Sequence, residues 1–547
     1  LADFGILQVK AGTMKYHRLL PLFYLLMVMH LTIRSQAWVS DRGDLDYRNP
    51  VIFADYSDPD VVRVGKDFFM VSSSFNCVPG LPVLHSRDLV NWQIVNHVFS
   101  RMPPDLVFSR PQHGNGCWAP SIRFHEGMFY VFFGDPDYGI YMSRSRDPLG
   151  PWEDLQLIWP ARGWIDPCPL WDDDGNAYLV HAFAGSRSGM KSVLVVHRMK
   201  PDGSGLLGEG VLVYDGHGVN PTIEGPKFYK RNGYYYIFAP AGGVTTGWQT
   251  VLRSRDPFGP YEIRTVMQQG STDINGPHQG GWVELENGQS WFLHFQDRGA
   301  YGRVVHLNPL EWVDDWPVIG TDEDGDGTGE PVLTYRKPEV DAMVSPAVPQ
   351  TSDEFEGSSP GLQWQWHANP RQEWMFLSGN LGFMRLYCMQ RDADWKNHWD
   401  TPNLYLQKFP APVFTATTLI RFEPFHDGDR AGLIIMGMDY AAVALEQKDG
   451  KLMVSRVVCR DAAGGTPEKV TESHEISGPE IFLRAEIGEG GRTRFGFSTD
   501  GTEFNMMEGT FTAVPGKWIG AKVGLFAQST EATNDKGFAD VNWFRIQ

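Results

Sequence analysis

The stretch VVRVGKDFFMVSSS, residues 61–74, reads as a β-hairpin: a valine-rich run, a polar turn around Gly65, and an aromatic-rich return. A polar turn with glycine between two such runs is a strong short-range hairpin signal. The same plan recurs in SIRFHEGMFYVFF (121–133), LWDDDGNAYLVHAF (170–183), KFYKRNGYYYIFAP (227–240) and WVELENGQSWFLHF (282–295). The turn glycines, Gly65, Gly127, Gly175, Gly233 and Gly288, are spaced 62, 48, 58 and 55 residues apart. A further strand–turn–aromatic element follows three of the hairpins: HSRDLVNW (85–92), SRSRDPLGPW (143–152) and RSRDPFGPY (253–261).

Five all-β copies at this period predict a five-bladed propeller, each blade a four-stranded sheet around a central axis, over residues 45–330. A sandwich with accidental similarity does not account for one hairpin per period. No helix-length apolar periodicity interrupts the copies, which disfavours an α/β barrel.

Just ahead of each hairpin stands an unusual group beside proline: Tyr56-Ser57-Asp58-Pro59, Cys117-Trp118-Ala119-Pro120, Trp164-Ile165-Asp166-Pro167, Ile223-Glu224-Gly225-Pro226 and Gly276-Pro277-His278. The innermost strand of every blade begins beside the central channel, so these positions converge. Asp58 lies 7 residues before its turn glycine; Asp166 and Glu224 each lie 9 before theirs. One Asp-Pro alone is a turn former. The matched set predicts a site, because carboxylates held together push their pKa values apart, as acid–base chemistry requires. Asp60 is a further candidate, since its two-residue spacing from Asp58 does not exclude it.

The remaining composition narrows the partner. The chain has 547 residues with 48 Lys+Arg and 66 Asp+Glu, a formal charge of −18, which argues against a nucleic-acid clamp. At this length more than one domain is expected. Aromatics at 13% offer flat rings for stacking on a carbohydrate. The five cysteines, Cys77, Cys117, Cys168, Cys388 and Cys459, have no disulfide or zinc spacing and read as small buried residues. From Met14 a basic start, the apolar run LLPLFYLLMVM and Ser35-Gln36-Ala37 read as a secretory signal, with upstream residues and signal occupying 1–37. Its 11-residue apolar run is shorter than the roughly 20 that span a bilayer, so no span is expected in the mature chain.

Together, NPVIFADYSDPDVVRVG, SSSFNCVPGLPVLHSRDLVNW, GCWAPSIRFHEGMFYVFF, GWIDPCPLWDDDGNAYLV, IEGPKFYKRNGYYYIFAP, INGPHQGGWVELENGQSWFLHF and YGRVVHLNPLEW resemble glycoside hydrolase family 43, the arabinofuranosidases and β-xylosidases built on five blades. The resemblance implies Asp58 as general base, Asp166 as auxiliary carboxylate and Glu224 as general acid. It implies Arg303 on the pocket floor, Phe75 and Trp118 as aromatic walls, and His278 as a channel residue that helps hold a hydrated calcium. The base motif departs from the common Tyr-Pro-Asp-Pro-Ser by reading Tyr-Ser-Asp-Pro-Asp.

Texture changes from Gly320 to Gln350. Asp322, Asp324, Asp326 and Gly327 imitate an EF-hand opening, but the twelfth position is Leu333 rather than a bidentate glutamate, so the match fails. Residues 331–350 read as a linker and 351–547 as an antiparallel β-sandwich of many short strands. That half looks like the concanavalin-like module that follows some family 43 propellers, where Asp353 and Asp540 would flank a structural calcium. Its role is either carbohydrate binding or a rigid wall on the propeller pocket, and the wall is favoured.

The reading is an exported, exo-acting, inverting glycosidase. It would release terminal α-L-arabinofuranosyl or β-D-xylosyl residues from hemicellulose such as arabinoxylan, xyloglucan or arabinan side chains, with no organic cofactor. The alternative is a non-catalytic, secreted sugar-binding propeller. The acid cluster argues against it, because binding alone needs no costly carboxylates. The Ser-x-Asp-x-Gly-x-x-Trp boxes of sialidases are absent.

Overall fold

The computed structural model describes residues 38–547 apart from 44, 342, 343 and 380. The signal-like segment before residue 38 lies outside the described residues. Among those described, no helix is long and apolar enough to cross a membrane.

The protein is all-β. Twenty strands, from Asp60–Val64 to Trp316–Ile319, form five four-stranded sheets of consecutive antiparallel strands. The innermost strands are Asp60–Val64, Trp118–His125, Trp164–Trp171, Lys227–Arg231 and His278–Glu284. Successive blades touch, and the fifth touches the first, closing a ring. The repeated glycines explain the hairpins: all five turn positions have φ between +60° and +86°, a conformation other residues reach only at a cost. Two-residue turns join Val64 to Asp67, His125 to Met128 and Arg231 to Tyr234.

Among the described residues no strand is exchanged between blades one and five. Closure comes from the residues ahead of blade one. Ile52 and Val305 exchange main-chain hydrogen bonds of 3.3 and 3.1 Å, and the Tyr47 hydroxyl donates to the Leu307 carbonyl at 2.8 Å. Asp46–Arg48 also pairs with Thr334–Arg336. The expected linker therefore begins as part of the propeller and stays docked on blade one, where Ala347 N donates to Asn91 Oδ1 at 2.8 Å.

Two eight-stranded sheets form the sandwich. Phe414–Glu423 alternates buried and partly exposed residues along its length, as a strand with one face in a core must. The sandwich core merges with apolar residues of blades one and two, including Val78, Leu81 and Phe108, so the two halves share one core. Val78 and Trp366 exchange main-chain hydrogen bonds of 3.2 and 2.6 Å across the junction. Asp55 pins both sides: Oδ1 accepts from Arg303 N at 2.9 Å and Oδ2 from Gly520 N at 3.0 Å. That contact holds the sandwich loop around Gly520 against the propeller mouth. All five cysteines are free and buried.

Candidate active site

The entries to the innermost strands bend in ways a regular strand does not. Asp58 and Asp166 have φ of +54° and +56°, and Phe75 has +52°. Left-handed non-glycine residues cost of order 1–3 kcal/mol each and persist only where the surroundings hold them. The register also slips in blade two between Trp118 and Ser121, in blade three between Ile165 and Cys168, and in blade five between His278 and Gly280. Such irregularities re-aim side chains. Here they accompany residues at the channel mouth.

Asp58, Asp166, Glu224, Phe75, Trp118 and Arg303 all line one cavity of about 310 Å³. Six positions spread along the whole propeller sequence are thus brought together. Phe75 and Cys117 exchange main-chain hydrogen bonds of 2.9 and 3.0 Å, which sets the Phe75 and Trp118 walls side by side. Asp60 is not in the cavity. It is fully buried between blades and accepts from Ile122 N at 2.9 Å and Arg123 Nη1 at 2.6 Å, a structural role.

Asp58 is held from two sides. The Ser73 hydroxyl donates to Oδ2 at 2.5 Å, and Arg303 Nη1 lies 3.2 Å from Oδ1. Asp166 Oδ2 accepts from Gly225 N at 2.7 Å. Gly225 has φ +58°, and a Cβ there would meet the Gln279 side chain at 2.5 Å, so the Glu-Gly-Pro turn has no room for another residue.

Burial raises the pKa of both Asp166 and Glu224. Asp58 raises Asp166 further, while Gly225 N–H, Lys227 and Arg303 oppose. For Glu224 the second cause is the Asp166 charge, with Arg303 and Lys191 opposing. The Glu224 side chain is 29% exposed, and that exposure faces the cavity, since Glu224 is one of its lining residues. Enclosed by protein elsewhere and flanked by a second carboxylate, it favours the protonated form.

His278 is fully buried, with Nε2 3.7 Å from Glu224 Oε1 and neither ring nitrogen hydrogen-bonded. Burial pushes its pKa down to about 3, so the imidazole is neutral. Calcium takes about six to eight oxygen ligands. His278 offers one nitrogen, and no group of three ligating side chains gathers around it among the described residues. The protein thus builds no cage here, and a calcium beside His278 would be the hydrated ion that the resemblance implies, with waters as its other ligands. The described group of three is Asp322, Asp324 and Asp326, an exposed turn whose carboxylates cap the amides of Gly325, Gly327 and Thr328.

The sandwich pair is also otherwise engaged. Asp353 accepts from Phe355 N, Gly361 N and Trp364 Nε1 at 2.9, 2.7 and 3.1 Å. Asp540 makes a two-pronged pair with Arg385 at 2.7 and 2.9 Å. Each carboxylate thus serves N–H donors of its own surroundings.

Trp518 was not foreseen. This sandwich residue lines the cavity with its ring 6.5 Å from that of Trp118 and 6.0 Å from the Arg303 guanidinium carbon. Its signal in the sequence is slight, an aromatic in the turn PGKWIG. Phe183, Lys191 and Gln279 also line the cavity.

The family models place this geometry. Residues 47–317 match the glycosyl hydrolases family 43 model, and 352–547 match the beta xylosidase C-terminal concanavalin A-like domain. A putative beta-xylosidase of Xylanibacter ruminicola is 39% identical over 91% of this chain and 89% of its own length. The non-reducing end alpha-L-arabinofuranosidase BoGH43B of Bacteroides ovatus is 28% identical over 91% and 94%. Among solved structures, the GH43 BlXynB protein of Bacillus licheniformis superposes with a TM-score of 0.79 at 26% identity, over 92% of this chain and 99% of that one. With its propeller and its sandwich each matched by a model, and a 39% identical relative covering 91% of its length, the chain belongs to glycoside hydrolase family 43.

Proposed function

We propose that the chain is an exo-acting, inverting glycosidase that removes terminal β-D-xylosyl or α-L-arabinofuranosyl residues from hemicellulose. Its membership of a glycosyl hydrolase family makes the substrate a carbohydrate. The observation that carries the reading is the convergence of Asp58, Asp166 and Glu224 on one sugar-sized cavity. In the proposed reaction Glu224, protonated, gives its proton to the glycosidic oxygen as that bond breaks. Asp58, ionised and held by Arg303 and Ser73, takes a proton from the water that attacks the anomeric carbon on the opposite face. Inversion requires the two carboxyl groups about 6.5–9.5 Å apart to admit that water. Asp166 supports the proton on Glu224 through its charge.

Trp518 supports the wall role for the sandwich, because a second domain narrows the mouth as expected of an enzyme that accepts chain ends. Relatives named both beta-xylosidase and arabinofuranosidase support keeping both sugars. Purified full-length chain should hydrolyse an aryl β-xyloside, an aryl α-arabinofuranoside, or both, and NMR should show the inverted anomer first. Hydrolysis of neither, or a retained anomer, contradicts the proposal. Export, proposed on the segment from Met14 to Ala37, is tested by N-terminal sequencing of the mature protein; a mature chain that still carries Met14 contradicts it.

A further inference from the structure

A second concave site lies in the sandwich, beside its junction with the propeller. The cavity is about 100 Å³, room for several waters. It is lined by Arg110, Arg371 and Arg391 together with Trp395, Gln528 and Asn403. The three guanidinium groups are not equivalent. Arg110 is engaged by Asp392 and Asp394 at 3.5 and 3.8 Å. Arg391 forms no ion pair among the described residues, its Nε has no hydrogen-bond partner, and its guanidinium lies 4.1 Å over the Trp395 ring. Burial and neighbouring Arg430 lower its pKa to about 10, against the opposite pull of Glu468 and Glu446. Glu468 is already taken by Arg430 and Tyr440, at 2.5 and 2.7 Å.

Gln528, 1% exposed, reaches the same cavity with Oε1 unpaired. A buried acceptor left bare forfeits its hydration without return, so a hydroxyl donor there is favourable. A planar guanidinium matches a carboxylate two-to-two. A ligand that meets both demands joins a carboxylate to hydroxyl donors. Phosphate dianion carries only one hydroxyl donor and brings a second negative charge to a cavity that Asp392 also lines.

We infer that this cavity binds a hexuronic acid residue, with the carboxylate on Arg391 and a ring hydroxyl donating to Gln528 Oε1. Such a residue would be free acid or a uronosyl branch of a polysaccharide.

The test is calorimetric titration of the full chain with glucuronate, glucose, acetate and phosphate, followed by a xylo-oligosaccharide bearing one glucuronosyl branch. Glucuronate should bind at least tenfold tighter than the other three small probes. The branched oligosaccharide binding tighter still identifies a polymer branch as the source; equal affinity identifies the free acid. Arg391→Met should weaken glucuronate at least tenfold while aryl glycoside hydrolysis is unchanged. Arg391→Lys, which keeps the charge and loses the fork, should weaken it several-fold and guards against misfolding of the first variant. Glucose, acetate or phosphate binding as well as glucuronate, or unchanged affinity in a folded Arg391 variant, overturns the inference.

Discussion

The guanidinium of Arg303 stands 3.2 Å from Asp58 Oδ1, and both groups are almost fully buried. They come from opposite ends of the propeller sequence, and the Asp55 hydrogen bond to Arg303 N fixes the strand that carries the arginine. The carboxylate at the channel mouth is thereby held in place and aimed. Arg303→Met should lower kcat/KM by about 10²–10³-fold with the fold intact, comparable to the loss of one preorganised active-site hydrogen-bond donor. Steady-state kinetics beside circular dichroism would check it; wild-type kinetics would reduce Arg303 to a scaffold residue.

Asp166 and Glu224 are a like-charged pair whose pKa values burial raises, Glu224 to about 8. If Glu224 acts as the acid, activity falls as pH rises through that value. Asp166→Asn removes a charge that raises Glu224, so the alkaline limb should move to lower pH, by about one unit. The stability sign follows from the same shift. A carboxylate raised in the folded state stabilises it fully below the ordinary carboxylate range, and that contribution is lost as pH rises through the raised value. Asp166→Asn should therefore melt higher than the parent at pH 8, with the difference closing toward pH 4. An unmoved alkaline limb in kcat/KM profiles would show the pair to be uncoupled.

Trp518 reaches the cavity from the sandwich, 46% exposed. Trp518→Ala should raise KM roughly 2- to 12-fold through loss of an aromatic contact worth about 0.5–1.5 kcal/mol, with a smaller effect on kcat. Saturation curves on aryl glycosides and xylobiose would measure it, and an unchanged KM would leave the wall role without support.

Much of this architecture was legible because its signals are local. A turn glycine between alternating runs needs only a few residues to be recognised, and Asp58, Asp166 and Glu224 sit at matched offsets from theirs. Asp60 could not be separated from Asp58, because positions two apart share a strand face only where the strand is regular, and Asp58 has φ +54°. Trp518 was hidden for another reason: its partner Trp118 lies in the other domain, and no period links them. For Asp353 and Asp540 the sequence leaves the partner open, because a carboxylate's chemistry suits calcium, a guanidinium and backbone amides alike.

The Arg385–Asp540 pair gives a direct check on whether Asp540 serves a guanidinium or a calcium ion. Asp540→Ala leaves a half-buried guanidinium without its two-pronged partner and should cost about 1–2 kcal/mol. Calcium should neither restore the loss nor raise the melting temperature of the parent sandwich. A calcium-dependent rise in differential scanning calorimetry would reinstate the metal there.

The assignment of the acid is tested most directly by Glu224→Ala, assayed on paired substrates with good and poor leaving groups. A leaving group that departs without a proton has little need of the acid. The variant should keep much of its rate on dinitrophenyl glycoside and lose about 10²–10⁴-fold on the unactivated disaccharide. Equal losses on both would contradict the role given to Glu224, and with it the division of labour among the three carboxylates.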